Sequence, residues 1–315
     1  MHQRHPSRTI VAVLVAAIAL LGTACGAQRG ASPPPATTAG QASYPVTVSA
    51  ANGPVTLPAK PARIVSLSPT GTEMLYAMGA GPQVTAVDSN SNYPPGVPTT
   101  KLSAFTPNLE AILAYKPDLV VASDDMNGLV KGLATAKVPT ALLKAADTLE
   151  DTYRQLNTLG TVTDHAAAAA QVVSGMQAKV QQVVANAPKL SSPVTYYYEL
   201  DPTLYTATSA SFVGSLFTML GLRNIADAAG KGNAYPQLSA EYIASANPAL
   251  VFLADSKCCG ANAASYAARP GNATATAVTT KSVIPLDDDV ASRWGPRSVE
   301  LLSTVADLLR ARVTR

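Results

Sequence analysis

The apolar positions from residue 55 onward fall into two alternating blocks with a long helical stretch between them. "ARIVSLS" (62–68) is short and β-branched, and "GTEMLYAMGAG" (71–81) reads as a helix stopped by Gly79 and Gly81. "QVTAVDS" (83–89) is a second strand. "NLEAILAYKPDLVVAS" (108–123) gives a helix and then a strand set off by Pro117, and "NGLVKGLATAKVPTALLK" (127–144) repeats the unit. Short buried strands alternating with helices predict an α/β lobe with a mostly parallel sheet. From 149 to 188 no strand pattern occurs. Val172, Val173, Met176, Val180, Val183 and Val184 fall near helical spacing and predict a helix from Asp164 to Asn186. At 1.5 Å per residue such a helix is about 30 Å long, enough to cross between two lobes. The alternation then resumes: strands at 193–200 and 203–208, a helix at 211–221, a helix–strand unit at 239–255, a strand at 282–288 and a closing helix at 295–313. The prediction is α/β, with two Rossmann-like lobes (53–162 and 191–315) joined by one long rigid helix (163–190).

The first residues change the picture of where this fold works. "MHQRHPSR" is basic, and the apolar run "TIVAVLVAAIALLGTA" is shorter than the ~20 residues of a spanning helix. Residues 1–24 read as an export signal. Gly22-Thr23-Ala24-Cys25 resembles a lipobox, which would make Cys25 the lipidated first residue of the mature chain. It departs from the usual pattern, with Gly22 where a Leu is expected and Leu21 one place earlier. Ordinary cleavage with an incidental Cys25 is the other reading. Residues 25–52, rich in Pro, Ala, Gly, Ser and Thr, read as a flexible linker. The expected location is the extracytoplasmic face of the cell membrane, held by the lipid.

Net charge is +3, and near +1 once Arg4 and Arg8 leave with the signal, which is no footprint for nucleic acid. His2 and His5 leave too, so only His165 remains, and a His-based metal site is excluded. No metal site is expected.

"RIVSLSPTGTEMLYAMGAG", "SNYPPGV" and "NLEAILAYKPDLVVAS", in this order, resemble the helical-backbone class of ABC-importer binding proteins, which handle cobalamin, ferric siderophores and haem. "SFVGSLFTMLGLRNIAD", "SAEYIASANPALVFLAD" and "SRWGPRSVELL" carry the resemblance over nearly all of residues 60–312. Each motif alone is weak, whereas their order and spacing together are specific. "SLSPTGTE" and "NYPP" place it nearest the cobalamin-binding branch. The resemblance implies a monomeric solute-binding protein, not an enzyme, with no cofactor. Its partners would be a metal chelate (siderophore, corrinoid or haem), a membrane permease and a separate ATPase subunit. The chain itself has no G-x-x-x-x-G-K-[ST] phosphate loop.

Ligand is then expected where strand C-terminal ends of the two lobes face each other, in line with the rule for open α/β sheets. The candidates are Ser68, Asn92, Tyr93, Phe105, Asp125 and Met126 in the first lobe. In the second they are Tyr198, Phe212, Cys258, Cys259, Arg293, Trp294 and Arg297. Trp294, the only Trp, is either a ligand contact or an anchor under the final helix. The arginines suit anionic groups through their planar fork, or pair with a carboxylate of the chain. Asp287, Asp288 and Asp289 form either an internal ion pair and a solvated loop or a selective rim. Of Tyr196, Tyr197 and Tyr198, at most two share a face of a strand.

Glu73 has two readings. The resemblance implies that it lies on the outer surface and docks the permease; Thr70-x-x-Glu73 also fits a capping box. The second lobe has no matching glutamate, since none occurs from 201 to 240. Cys258 and Cys259 are adjacent, and with Cys25 lipidated they have no other partner in the chain. A vicinal disulfide that stiffens a cleft loop is expected, against two free thiols. Two other functions stand beside solute binding: a thiol-disulfide enzyme using this pair, disfavoured because such enzymes separate their cysteines, and a non-transport signalling or envelope lipoprotein.

Overall fold

The structure, a computed structural model, describes residues 43–313. The expected signal peptide and the lipidated Cys25 lie outside the described residues. The first lobe runs β1 (Val46–Ala50), β2 (Gly53–Leu57), β3 (Ile64–Leu67), α1 (Pro69–Ala77), β4 (Val84–Val87), α2 (Leu109–Leu113), β5 (Leu119–Ala122), α3 (Leu129–Thr135), β6 (Thr140–Leu142) and α4 (Leu149–Thr163). The connecting helix is α5 (Ala166–Ala185). The second lobe runs β7 (Val194–Glu199), α6 (Phe212–Met219), β8 (Leu222–Asn224), α7 (Ala226–Gly230), α8 (Ala240–Ala246), β9 (Leu250–Leu253), α9 (Ser256–Cys259), α10 (Ala263–Ala267), α11 (Thr276–Thr279), β10 (Val283–Pro285), α12 (Asp288–Ala291) and α13 (Ser298–Val313).

Both lobes are built on four-stranded parallel sheets, ordered β4-β3-β5-β6 and β10-β9-β7-β8. Each chain path moves one way from its first strand and then returns to the other side. The switch points are therefore β3/β5 and β7/β9, and their strand C-terminal ends are where open α/β sheets bind ligands. β3, β5 and β9 are buried at every residue, which is why they read as continuous apolar runs rather than alternating ones. Tyr196, Tyr197 and Tyr198 are all buried for the same reason. Tyr196 and Tyr198 pack with Phe217 and Phe252 on one face, and Tyr197 joins the cluster on the other.

One apolar core runs through both lobes. It joins Leu75 and Leu156 of the first lobe to Met176 of α5 and to Leu216 and Leu302 of the second. The connecting helix is thus embedded on one side rather than strung between lobes. Gly160 brings α4 against α5: an added Cβ would stand 2.4 Å from the Ala169 methyl. Among the described residues no helix is long and apolar enough to cross a membrane.

Two expectations are corrected. The linker expected to reach residue 52 ends earlier, because residues 46–50 pair antiparallel with 53–57 in a hairpin. The strand expected at 203–208 is an irregular loop with only isolated bridges, since Leu204 adopts φ 69° and breaks the extended run. A further strand, β8, forms at 222–224, past the helix expected at 211–221 and where no element was predicted.

Candidate functional site

The loops at the C-terminal ends of the two sheets hold most of the exposed apolar side chains. Seven large hydrophobic side chains remain exposed among the described residues, and five sit here: Tyr93, Phe105, Met126, Tyr205 and Tyr235. Single exposed apolar residues need no explanation, but a concentration on one edge marks a contact surface. Phe105 is the most open, at 68 %. Asp124 and Asp125 follow β5 and are exposed, and the Asp125 carboxylate accepts the Val130 N–H at 2.8 Å, bracing the turn into α3. Loops 200–208 and 233–238 are stitched by Thr206 N–H to the Pro236 carbonyl and Thr208 N–H to the Ala234 carbonyl, which fixes Tyr205 and Tyr235 on one ledge. Burial, and after it the Asp147 carboxylate of the other lobe, push the Tyr235 phenol up.

Cys258 and Cys259 are bonded to each other in the single turn of α9, exposed just past the end of β9. The turn is held by a carboxylate at its amino end. Asp288 accepts the Cys258 N–H at 2.8 Å, the Lys257 N–H at 3.0 Å and the Ser256 hydroxyl at 3.0 Å. Unpaired helix N–H groups attract a negative charge in this way. The Lys257 ammonium sits between Asp287 (2.7 Å) and Asp289 (2.9 Å), and both push its pKa up. Beneath this turn Asp255 is fully buried and neither carboxylate oxygen has a hydrogen-bond partner. Burial first, then the neighbouring Glu199 carboxylate, push it up to about 6. Glu199, also fully buried, is held by a two-pronged bond to Arg269 at 2.6 and 2.6 Å.

The lobes meet along a polar seam beside these loops. Glu73 of α1 is 2 % exposed. It accepts from Arg293 at 2.7 Å and from Arg297 at 3.0 and 2.5 Å. Arg293 also donates to the Asn90 carbonyl (2.9 Å) and to Asp289 (2.7 Å). The Asn92 amide donates to Asp289 at 3.0 Å, and the Arg297 guanidinium lies 4.1 Å from the centre of the Tyr93 ring. Burial pushes Asp289 up, but Lys257, Asn92 and Arg293 outweigh it and hold its carboxyl below the usual range. Further along, the Trp294 indole N–H donates to Gln155 (2.9 Å) and the Thr152 hydroxyl donates to the Trp294 carbonyl (2.7 Å).

Residues 64–290 match the model of a family described as periplasmic binding protein. The chain belongs to that family. Among its relatives is an uncharacterised ABC transporter substrate-binding lipoprotein, YvrC, of Bacillus subtilis, 28 % identical over 274 residues, 84 % of this chain and 85 % of that one. A cobalamin-binding protein of Halobacterium salinarum is 29 % identical over 314 residues, 96 % of this chain and 85 % of that one. A solved structure of a possible iron-binding periplasmic solute-binding protein from Staphylococcus epidermidis superposes with a TM-score of 0.68 at 27 % identity, over 79 % of this chain and 98 % of that one.

In this periplasmic binding protein the candidate residues separate into two groups. Asn92, Tyr93, Phe105, Asp125, Met126, Cys258 and Cys259 are exposed on the strand-end loops. The others are engaged inside the protein. Ser68 is buried and caps α1 by accepting the Gly71 N–H at 3.0 Å. Tyr198 is buried and donates to the Ala291 carbonyl at 2.9 Å. Phe212 is buried in the core as the first residue of α6. Arg293 and Arg297 are the guanidiniums of the seam, and Trp294 is half-buried between the second lobe and α4.

Neither reading of Glu73 survives. Ser68 is the cap of α1 and Thr70 is already inside the helix, so there is no capping box at Thr70. The Glu73 carboxylate is buried against two guanidiniums rather than presented on an outer surface. The acidic run divides its work: Asp288 caps α9, Asp289 joins the seam, and Asp287 caps α12 while pairing Lys257. Tyr235, the Asp147 that acts on it, and the seam residues Thr152 and Gln155 were not singled out in the sequence. The Tyr-Pro pair at 235–236 was the available signal for the ledge.

A cavity of about 300 Å³ opens on the seam, lined by Glu73, Tyr76, Tyr93, Pro94, Arg297 and Glu300. A larger one, about 640 Å³, lies elsewhere, between β1 and α4. Its walls gather no cluster of aromatic or buried charged groups, so size alone does not make it the site.

Proposed function

We propose that this chain is the solute-binding lipoprotein of an ABC importer, capturing a corrinoid of the cobalamin type between its lobes and delivering it to a membrane permease. The observation that carries this reading is the set of exposed aromatic and sulfur-bearing side chains on strand-end loops of both lobes. Large, mostly apolar walls with a few polar groups suit a bulky ring ligand. Charge favours a corrinoid over an anionic ferric siderophore. Lys257, Arg293 and Arg297 are each held by carboxylates of the same chain, and Asp124 and Asp125 add negative charge to the edge. A neutral ligand rich in amides meets no unfavourable field there, and Asn92, Tyr205 and Tyr235 offer it hydrogen-bonding groups. The full-length likeness to a cobalamin-binding protein supports the same ligand class. Within this reading the disulfide turn stiffens the ledge that one face of the ligand rests on. Cys25 is the lipid attachment site, and ATP hydrolysis belongs to another subunit.

The test is a titration of the purified mature chain with cyanocobalamin, a ferric hydroxamate and haemin, followed by equilibrium dialysis and by the fluorescence of Trp294. Saturable one-to-one binding of cyanocobalamin is expected. Tighter binding of the hydroxamate would replace the corrinoid by a ferric chelate, and no binding of the three would overturn the chelate reading altogether.

A further inference from the structure

We propose that Glu73, Arg293 and Arg297 form an interlobe latch, which sets how readily the lobes part and so how fast the cleft exchanges its ligand. The inference rests on the cleft being the ligand site, but its physical core does not need the ligand's identity.

The three residues stand 220 and 224 positions apart in sequence and belong to different lobes. Glu73 comes from the first helix of one lobe, and the arginines from the loop between α12 and α13 of the other. All three are shielded from water, with side-chain exposures of 2, 7 and 13 %. Separating the lobes would strip a buried carboxylate of both its cations at once. A buried charge that loses its partner is costly, whereas an exposed pair contributes little either way. The seam therefore resists opening far more at this point than at its rim, where Asn92 meets Asp289.

The latch is also wired to the ligand-facing loops. Asp289 bonds Arg293 on one side and the Lys257 ammonium on the other, and Lys257 precedes the Cys258–Cys259 turn. Tyr93, an exposed residue of the edge, packs its ring against the Arg297 guanidinium. A guest that moves either Lys257 or Tyr93 changes what the latch arginines touch. Embedded α5 permits little lobe motion, so small shifts at this cluster govern access.

Glu73→Gln, Arg297→Gln and the double variant test the proposal in the full mature chain. The first readout is hydrogen exchange without ligand in segments 88–93 and 287–297, one from each lobe. Each single variant is expected to speed exchange in both segments on the order of tenfold, as loss of a charge-assisted contact does. The double variant should add little, because both changes remove the same interaction. Asn92→Ala, a milder change at the rim, should give about twofold. The second readout is the release rate of cyanocobalamin, expected to rise in parallel. Unchanged exchange in the 287–297 segment of Glu73→Gln, or wild-type exchange in Arg297→Gln, would overturn the latch. A charge held out to a permease predicts that Arg297→Gln behaves as wild type, so that variant separates the two. If exchange responds but cyanocobalamin does not bind, the latch stands and the ligand reading falls.

Discussion

The two lobes start alike and bury their glutamates in different places. α1 and α6 each begin with a serine cap three residues before a glycine: Ser68 accepts the Gly71 N–H, and Ser211 accepts the Gly214 N–H. Five residues past the cap the lobes diverge, with Glu73 in α1 and Leu216 in α6, both buried. The end of the central strand shows the reverse, with Leu67 closing β3 and Glu199 closing β7. The first lobe's buried glutamate reaches into the other lobe, while the second lobe's is tied to Arg269 of its own. A third pair follows the same logic. Asp124 stands two residues past β5 and is exposed, whereas Asp255 stands two residues past β9 and is fully buried. One architecture thus carries two electrical designs, one spent on joining the lobes and one on the interior beneath the disulfide turn.

Moving the charge is the harshest way to break this comparison. Leu216→Glu would bury a carboxylate where no arginine waits, and a loss of about 4 kcal/mol is expected in urea unfolding. Retention of wild-type stability would mean that the α6 site is not the closed interior described above. Next comes the glycine shared by both helix starts. At Gly214 an added Cβ would stand 1.9 Å from the Thr208 carbonyl oxygen, which is backbone and cannot turn aside. At Gly71 the nearest atom is a Val121 methyl at 2.9 Å, which can. Gly214→Ala should therefore cost about 3 kcal/mol and Gly71→Ala about 1, and equal losses would erase the distinction.

The aspartates sharpen the contrast through pH. The folded pKa of Asp255, about 6, lies above the ordinary carboxylate value of 3.8, so ionising it opposes folding. That opposition is fully present above pH 6 and fades as pH falls from 6 toward 4, and it is about 3 kcal/mol at pH 7.5. Asp255→Asn should stabilise the protein at pH 7.5 by about 1–2 kcal/mol, since the amide is also left without a partner, and should give no gain near pH 4. A variant that tracks wild type across the range would show that Asp255 is not buried as a lone carboxylate. The smallest effect belongs to the caps: Ser68→Ala and Ser211→Ala should each cost about 1 kcal/mol, measured by thermal unfolding.

Most of the fold was legible because parallel strands covered on both faces leave continuous apolar runs, as in "DLVVAS" and "ALVFLAD". The connecting helix was legible from its valine spacing. The hairpin was legible too, in alternating "VTVSA" and "GPVTL" around Asn52-Gly53, but the low-complexity run before it masked the signal. The exposed candidates were chosen by one rule, that ligand-facing residues follow strand ends. That rule cannot say which side chains turn inward, so it also swept up Ser68, Tyr198 and Phe212. The role of Glu73 was out of reach for a different reason. Its partners lie 220 residues away, and nothing local distinguishes a glutamate facing solvent from one facing an arginine of the other lobe.

The central claim is that the ligand sits on the strand-end loops of both lobes. Hydrogen exchange of the full mature chain with and without saturating cyanocobalamin tests it most directly. The account predicts protection in segments around 92–93, 105, 124–126, 205, 235 and 257–259, from both lobes at once. Protection centred on residues 48–51 and 151–161, the walls of the larger cavity between β1 and α4, or confined to a single lobe, would contradict it.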